Sequence, residues 1–364
     1  MINYYECWKN VLKHHIKPLD IVKVLQHFNI INNNFKRQYI LCNANKSEPG
    51  VFIDRYIMLR DPHGLIEGIA ILAICLEATA GYIYIQGDFS ESIAMLDAAV
   101  LEAYNNKLLG KNILNSGYSF DLYIIYGAGS YISGEESGIM EAMEGKKAFP
   151  RLKQYSSLIN THLYGYPVGV YDSETLVNIA TMLQSGVNHS SNYKMFSVSG
   201  HVNKPGIYKL PLGTAFKDLL IMAGGIKNNK KLKAVLPNGL SSPVVAANTM
   251  MQANLTDARG LIIMDETTCM VEVLLRITKF YMDESCGQCS PCREGTGWIY
   301  KIVHRIYNNL ASIQDLEILE HVAKNVENNT ICGLGNKISN TIKSFLNNFK
   351  QEFVVKVQTV SVEC

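Results

Sequence analysis

The chain lacks an excess of charge of either sign. Its 364 residues include 34 lysines and arginines against 32 aspartates and glutamates, which leaves a formal net charge of +2. Charged residues make up 18% of the chain, below the average of about 25% for globular proteins. Because the chain has no large positive net charge, we expect no nucleic-acid partner. The 48% hydrophobic content excludes a disordered tail and is sufficient for two or three domains.

A long apolar run is also missing. The most apolar stretch, Gly68–Leu76, is flanked by Glu67 and Glu77, and a bilayer-spanning helix needs about 20 such residues. The first ten residues show no basic segment followed by an apolar one, so we expect no secretion signal. These absences predict a cytoplasmic chain without direct membrane insertion, and they leave docking onto a membrane complex open.

The third absence is glycine at the start of the chain, where the first glycine is Gly50. Apolar residues from Ile21 to Phe28 follow helical spacing, and three consecutive asparagines then indicate a loop. We interpret residues 1–37 as a surface segment that is truncated or divergent.

From residue 38 onward, apolar strands and amphipathic helices alternate. Short apolar runs predict strands at Tyr39–Cys42, Tyr82–Ile85 and Leu122–Ile125, with helical patterns between them. This β-α-β-α-β order is typical of a mostly parallel sheet, in which ligands gather at the carboxyl ends of the strands. We expect this α/β domain to span residues 38–193.

Two further modules are predicted beyond it. Residues 194–267 combine a hairpin, one helix and more strands, which favours an α+β module of the β-grasp, ubiquitin-like type. Residues 268–350 carry several apolar stripes at helical spacing, which predicts an all-α bundle, and residues 351–364 form a tail.

The nine cysteines include one tight group. Cys286, Cys289 and Cys292 are spaced as C-x₂-C-x₂-C, and Cys332 lies forty residues further on. Three closely spaced thiolates and one remote thiolate are a recurring ligand pattern for iron–sulfur clusters. A structural zinc site usually has two C-x₂-C pairs. Zinc ligation and unliganded thiols stay open as alternatives. Arg293 beside the group would raise a cluster's reduction potential.

The cysteine run belongs to a longer stretch, Glu284–Trp298, that resembles the signature of the NADH-binding flavoprotein (F-type) subunit of respiratory complex I and related diaphorases. The resemblance covers about Tyr39 to Phe349, and its other segments are Asp61–His63, Leu109–Leu114, Gly127–Tyr131, Gly134–Glu136, Pro150–Lys153, Phe196–Gly206, Asp265–Thr268 and Ile331–Gly335. It implies a Rossmann-like flavin/NADH domain, a β-grasp module of the SLBB kind and a four-helix bundle holding a [4Fe–4S] cluster.

The same resemblance assigns cofactors to particular residues. In that family NADH gives a hydride to FMN, which passes single electrons to a cluster held by the cysteines that match Cys286, Cys289, Cys292 and Cys332. Glu135 and Glu136 would bind ribose and favour NAD over NADP. Lys153 would face the charge of the nucleotide, and Asn43, Ser47 and Glu48 would lie in the flavin loop. Solvated loop acids are the alternative interpretation of Glu135 and Glu136.

Departures from the family fall on the flavin site. The family has a glycine-rich phosphate loop where this chain has glycine-free residues, and two acids of the next segment are replaced by Asn45 and Lys46. In a later segment both threonines and both asparagines of the family pattern are replaced, the threonines by Val168 and Gly169 and the asparagines by Tyr171 and Asp172. These changes argue against tight FMN binding.

We therefore predict an electron-transfer subunit with an impaired flavin site. The alternative is a non-catalytic iron–sulfur interaction or assembly paralogue with the same fold. The resemblance implies a thioredoxin-like [2Fe–2S] subunit and a large multi-cluster subunit as partners. It also implies a cytoplasmic position peripheral to the inner membrane, or a matrix position in an organelle.

Overall fold

The computed structural model describes residues 5–13, 39–45, 47–152, 162–185 and 193–358. The chain forms two compact units, one of Met1–Ser47 with Ile53–Lys194 and one of Glu48–Phe52 with Met195–Cys364. Among the described residues, none of the helices has both the length and the hydropathy needed to cross a membrane.

The first unit is built on a five-stranded sheet. Its strands are β1 (Tyr39–Ala44), β2 (Ala80–Gln86), β3 (Asp121–Gly127), β4 (His162–Leu163) and β5 (Tyr166–Asp172), in the spatial order β3-β2-β1-β5-β4. The first three strands and β5 are parallel, whereas β4 pairs antiparallel with β5. Central β1 has Ile40, Leu41 and Cys42 fully buried, as expected for a parallel strand covered on both faces.

Helices cover this sheet. They are α1 (Glu6–Leu12), α2 (Ile53–Arg60), α3 (Pro62–Cys75), α4 (Ser90–Asn105), α5 (Glu136–Met143) and α6 (Ser173–Ser185). Helix α3 is buried along most of its length. It begins where the Asp61 carboxylate accepts the Gly64 N–H at 3.0 Å and Pro62 supplies a helical φ.

Helix α1 corrects the sequence interpretation of its segment. Trp8 is 0% exposed. Its backbone N–H donates to the Glu67 carboxylate at 2.9 Å, and its indole N–H donates to the Leu108 carbonyl at 3.2 Å. The prediction of a surface segment was therefore wrong for these residues. The helix predicted at Ile21–Phe28 lies outside the described part of the chain.

The second unit contains a second five-stranded sheet. Its strands are β6 (Tyr193–Gly200), β7 (Gly206–Pro211), β8 (Leu232–Leu236), β9 (Val245–Ala246) and β10 (Gly260–Asp265), in the order β7-β6-β10-β8-β9. Helix α7 (Phe216–Met222) packs Phe216 and Leu219 against Phe196 and Leu261, and the short helix α8 (Ala247–Met250) follows β9. One helix on a mixed sheet is the β-grasp arrangement that the sequence predicted.

Four helices complete the second unit. They are α9 (Met270–Glu284), α10 (Ser290–Tyr307), α11 (Ile313–Val326) and α12 (Leu334–Gln358), and they pack side by side as a bundle. Their buried side chains recur at helical spacing, as Leu274 and Ile277 do on α9 and Ile299 and Val303 do on α10. The predicted fold class, α/β followed by α+β and all-α parts, is confirmed.

Candidate functional site

The four grouped cysteines lie at one end of the bundle. Cys286 and Cys289 are in the loop from α9 to α10, Cys292 is in the first turn of α10, and Cys332 shortly precedes α12. Gly287 in this loop has a φ of +79°, a left-handed conformation that glycine adopts without strain. Two short loops and two helix starts therefore place four thiols, one of them remote in sequence, at the same end of the helices.

Contacts of neighbouring residues indicate that these thiols lie close together, since Ile331, the residue before Cys332, donates its backbone N–H to Cys289 Sγ at 3.3 Å. Cys292 is only 7% exposed. Burial is the main cause that raises the pKa of its thiol to about 11; the neighbouring Cys332, Cys286 and Cys289 also contribute to this rise, and a hydrogen bond with Ser285 opposes it. A thiol surrounded by three others holds its proton tightly unless a cation compensates the negative charge.

Hydrogen-bond donors are directed at the sulfur atoms. The Ser285 hydroxyl oxygen lies 3.3 Å from Cys292 Sγ, and the Ile331 backbone N–H donates to Cys289 Sγ at 3.3 Å. Donors of this kind stabilise thiolate ligands and tune iron–sulfur clusters. An all-sulfur donor set with N–H and O–H groups around it fits a [4Fe–4S] cluster.

The zinc alternative requires several donors that meet around one ion. No group of three or more His, Cys, Asp or Glu side chains has that arrangement among the residues that the structure describes. In a four-iron cluster each thiolate binds a different iron, so the sulfur atoms lie further apart than around a single ion. One C-x₂-C-x₂-C run with a remote fourth cysteine is a recurring cluster pattern, whereas structural zinc sites usually have two C-x₂-C pairs.

Arg293 lies beside the cysteine loop, as the sequence indicated, but its charge is paired. Its guanidinium donates to the Gly287 carbonyl at 2.9 Å and to the Glu294 carboxylate at 2.9 Å. The adjacent acid offsets most of the positive potential that Arg293 would give a cluster.

A second set of polar groups lies at the carboxyl edge of the first sheet. The Asn43 amide donates to the Gly134 carbonyl at 2.9 Å, and its oxygen accepts the Asn45 N–H at 3.2 Å. Asn45 is fully buried, and within the described part of the chain both polar atoms of its side chain are without a hydrogen-bond partner, as are Ser47 Oγ and Gln86 Oε1. Buried polar atoms without partners are rare in folded proteins and indicate an absent polar ligand or water.

The two acids predicted to bind ribose have different environments. The Glu135 carboxylate caps α5 by accepting the Gly138 N–H at 2.9 Å, and it also accepts the Ser137 hydroxyl. Glu136, at the start of the helix, is exposed. Glu135 therefore has a structural role, and Glu136 is the acid that is open to a ligand.

The remaining predicted cofactor residues are assigned to two different units, and the division falls between the consecutive residues Ser47 and Glu48. Glu48 belongs to the second unit, where its carboxylate accepts the Ser241 N–H at 2.7 Å and the Ser241 hydroxyl. Tyr281 of the bundle donates to the Ser241 carbonyl at 3.1 Å. Lys46 and Lys153 lie outside the described residues, and Asn43 and Ser47 belong to the first unit.

Strand β5 was missed by the sequence interpretation, although it lies beside β1 in the sheet. Its end places Tyr171 and Asp172 next to Cys42 and Asn43 of β1. The Tyr171 side chain fills the space over Gly169, where a Cβ would lie 2.6 Å from the Tyr171 hydroxyl oxygen. The Asp172 carboxylate accepts the Thr175 N–H at 2.8 Å. Neither residue provides the amide groups of the asparagines that it replaces.

Comparison with known proteins agrees with both parts of this geometry. Residues 272–356 match the NADH-ubiquinone oxidoreductase-F iron–sulfur binding region, residues 27–182 match the Nuo51 FMN-binding domain, and residues 195–243 match the SLBB domain. These matches define an iron–sulfur flavoprotein class with a β-grasp module.

Two individual relatives identify the family more narrowly. The F 2 subunit of NADH-quinone oxidoreductase in Rhizobium meliloti (strain 1021) is 38% identical over 342 residues, which cover 89% of this chain and 81% of the relative. The F subunit of the Rhodobacter capsulatus oxidoreductase is 37% identical, with 88% and 79% covered. The chain belongs to the family of F-type subunits of NADH-quinone oxidoreductase.

A solved structure shows the same fold. The crystal structure of an NAD+-reducing [NiFe]-hydrogenase in the H2-reduced state contains a chain that superimposes with a TM-score of 0.82 at 27% identity. The match covers 93% of this chain and 59% of the hydrogenase chain. The chain is thus homologous to F-type subunits of NADH-quinone oxidoreductase and to a chain of an NAD+-reducing hydrogenase, and it spans 59% of the length of that hydrogenase chain.

Proposed function

We propose that this chain is an electron-transfer subunit of a complex I-type NADH-quinone oxidoreductase, with Cys286, Cys289, Cys292 and Cys332 as the ligands of a [4Fe–4S] cluster. The position of all four cysteines at one end of the bundle, where the N–H of Ile331 beside Cys332 donates to Cys289 Sγ, carries this proposal. A cluster of this kind supplies one-electron transfer when bound. The chain's own contribution is to hold the four sulfur atoms at the bundle end and to direct donors at them.

The three-module organisation is part of the same proposal. The boundaries at residues 38–193, 194–267 and 268–350 are supported by family matches at 27–182, 195–243 and 272–356. In this division the bundle carries the cluster, and the sheet domain carries the nucleotide.

For the nucleotide, we assign the carboxyl edge of the first sheet. Glu136 is exposed at the start of α5 and would accept hydrogen bonds from ribose hydroxyls. Its charge would repel a 2′-phosphate, so the site would prefer NADH to NADPH. Asn45 and Ser47 supply unpartnered polar atoms at the same edge.

FMN fits this edge only in part. A dianionic phosphate needs several backbone N–H donors, and glycine residues let the backbone come close enough to provide them. The chain has no glycine before Gly50. Tyr171 and Asp172 have also replaced two amide side chains. We therefore propose that the isolated chain binds FMN weakly, and we derive no electron-transfer step through it.

This reduced fit also supports the second candidate function, a non-catalytic iron–sulfur paralogue that keeps the family's fold. Flavin content separates the two candidates, because an electron-transfer subunit that oxidises NADH needs a group that converts hydride transfer into single electrons.

The partners that we propose are a thioredoxin-like [2Fe–2S] subunit and a large multi-cluster subunit, with the chain on the cytoplasmic or matrix side of the membrane. Large apolar side chains exposed on the bundle support a protein partner; they are Trp298, Leu310, Ile313 and Ile318. No nucleic-acid partner and no direct membrane insertion are proposed.

The test is anaerobic purification of the full chain followed by analysis of iron, sulfide and flavin. We expect about four iron and four sulfide per chain, a paramagnetic signal on reduction, and flavin well below one per chain. Stoichiometric zinc without iron would overturn the cluster assignment. Tight FMN with fast NADH–ferricyanide reduction would instead overturn the impaired-flavin proposal and favour a complete NADH-oxidising enzyme.

A further inference from the structure

Ser285 is placed where it can act on the cluster through its ligand. It ends α9, and its hydroxyl oxygen lies 3.3 Å from the sulfur of Cys292. Cys292 is the most buried of the four cysteines, and its backbone is fixed from the other side because the buried Thr296 hydroxyl donates to its carbonyl at 2.8 Å.

The direction of this hydrogen bond is set by the protonation state. A cysteine that ligates iron is a thiolate and has no proton to donate. The serine hydroxyl is then the only donor of the pair, and it donates to sulfur. Because the Cys292 sulfur belongs to a residue that is only 7% exposed, water screens this interaction less than it would at a surface, and its electrostatic effect is larger.

A donor to a ligand sulfur withdraws electron density from the cluster. Reduction adds one negative charge, so the hydrogen bond stabilises the reduced form more than the oxidised form. Hydrogen bonds to sulfur are among the factors that set cluster potentials.

The contacts described for two neighbouring polar groups are directed elsewhere. The Ser290 hydroxyl contacts the Arg293 guanidinium at 3.4 Å, and the guanidinium itself is directed at Gly287 and Glu294. The donor to Cys289 is the backbone N–H of Ile331, which no side-chain substitution removes. Ser285 is thus the side chain that the described contacts place on a ligand sulfur.

We propose that Ser285 is a positioning residue that raises the reduction potential of the [4Fe–4S] cluster by donating a hydrogen bond to the Cys292 thiolate. The proposal rests on the cluster assignment made above and deepens it. It makes the electron affinity of the cluster adjustable by one hydroxyl group.

The experiment is a redox titration of the cluster, followed by electron paramagnetic resonance, on the full chain purified anaerobically. Ser285→Ala should retain iron and sulfide but favour the oxidised form by roughly tenfold at a given ambient potential, a shift of about 59 mV to lower potential for one electron. Ser290→Ala is the matched control, since it removes a nearby hydroxyl that is directed at Arg293 instead of a sulfur, and it should leave the potential unchanged.

A second pair of variants keeps the test valid if the alanine variant folds poorly. Ser285→Thr and Ser285→Val have nearly the same shape and differ in the hydroxyl. The threonine variant should have a potential close to that of the unmodified chain, and the valine variant should show the lowered potential. Equal potentials in this pair, or an equal shift in the Ser290→Ala control, would overturn the role of Ser285. An unmodified chain without iron would overturn the proposed function itself.

Discussion

The cluster end of the bundle and the carboxyl edge of the first sheet have diverged differently. At the bundle end, four cysteines, the Gly287 turn and sulfur-directed donors agree with one another and with the family pattern. At the sheet edge, Asn45 has no partner for its amide, and Tyr171 and Asp172 stand where the resemblance implies asparagines. Under the proposed function, the chain therefore retains the residues of the cluster site and lacks several polar groups of the flavin site.

The physical difference between the sites is how they are assembled. Three of the proposed cluster ligands lie within seven residues, so local backbone geometry alone brings them together. The sheet edge depends on β1, β2, β3 and β5 and on the loops after them, which are separated by long stretches of sequence. A site assembled from many segments can lose individual contacts without losing the fold.

The largest effect is expected from removing a cluster ligand. Cys289→Ser should abolish the cluster and destabilise the bundle, because a bound metal centre contributes folding free energy. Iron content and thermal unfolding followed by circular dichroism measure both effects. Cys269→Ser is the control, since Cys269 precedes α9 and lies outside the cysteine group; equal loss of iron in both variants would contradict the assignment.

The next effect concerns the first unit. Trp8→Ala removes a fully buried side chain and should cost about 3–5 kcal/mol of unfolding free energy. Trp298→Ala removes a side chain that is 55% exposed and should cost less than about 0.5 kcal/mol. Urea unfolding of both variants measures the difference. Similar losses would show that α1 contributes little to the first unit.

A smaller change is expected in nucleotide binding. Glu136→Gln should weaken NADH binding by about tenfold, which corresponds to one charge-assisted hydrogen bond of roughly 1.4 kcal/mol. It should also reduce the ratio of the affinity for NADH to the affinity for NADPH. Titration calorimetry with both nucleotides measures this preference, and Glu91→Gln on the exposed surface of α4 is the control. Equal affinity of the unmodified chain for NADH and NADPH would identify Glu136 as a solvated surface acid.

The smallest effect depends on pH. Burial raises the pKa of Glu67 above its ordinary value of 4.5, although backbone N–H groups of Trp8 and Cys7 oppose the shift. Protonation of Glu67 therefore stabilises the folded state. This stabilisation is complete below pH 4.5 and is lost as the pH rises through the raised pKa. Glu67→Gln keeps an acceptor for Trp8 and removes the ionisation. The unfolding free energy of this variant minus that of the unmodified chain should therefore increase from about pH 5 to about pH 8.

Urea midpoints at the two pH values provide the measurement. Glu91→Gln, whose carboxylate is exposed, should show no such pH-dependent gain. If the urea midpoint of Glu67→Gln differs from that of the unmodified chain by the same amount at both pH values, Glu67 does not titrate between them.

Periodicity and spacing predicted much of the fold and the whole cysteine group. Strands β1, β2 and β3 were predicted because their apolar runs are continuous, whereas β5 was missed because Pro167 and Gly169 interrupt its pattern. Helix α1 was missed because its buried face is short and contains Cys7 and Trp8. Tertiary packing decided the position of both elements.

Individual side chains at the sheet edge were harder to predict. Sequence alone could not show that Glu135 is a helix cap or that Glu48 binds Ser241, because both contacts depend on the folded backbone. The unpartnered Asn45 amide was invisible for the same reason. Ser285 could have been found, since a hydroxyl directly before a C-x₂-C-x₂-C run lies near a ligand sulfur.

The two tryptophans of the chain, Trp8 and Trp298, provide a built-in optical readout. One is fully buried in the first unit, and the other is largely exposed on α10 of the second. Their intrinsic fluorescence should differ, with blue-shifted emission from Trp8 and red-shifted emission that iodide quenches from Trp298. Substituting either indole by phenylalanine leaves a single emitter, so each unit can be observed separately without an added dye.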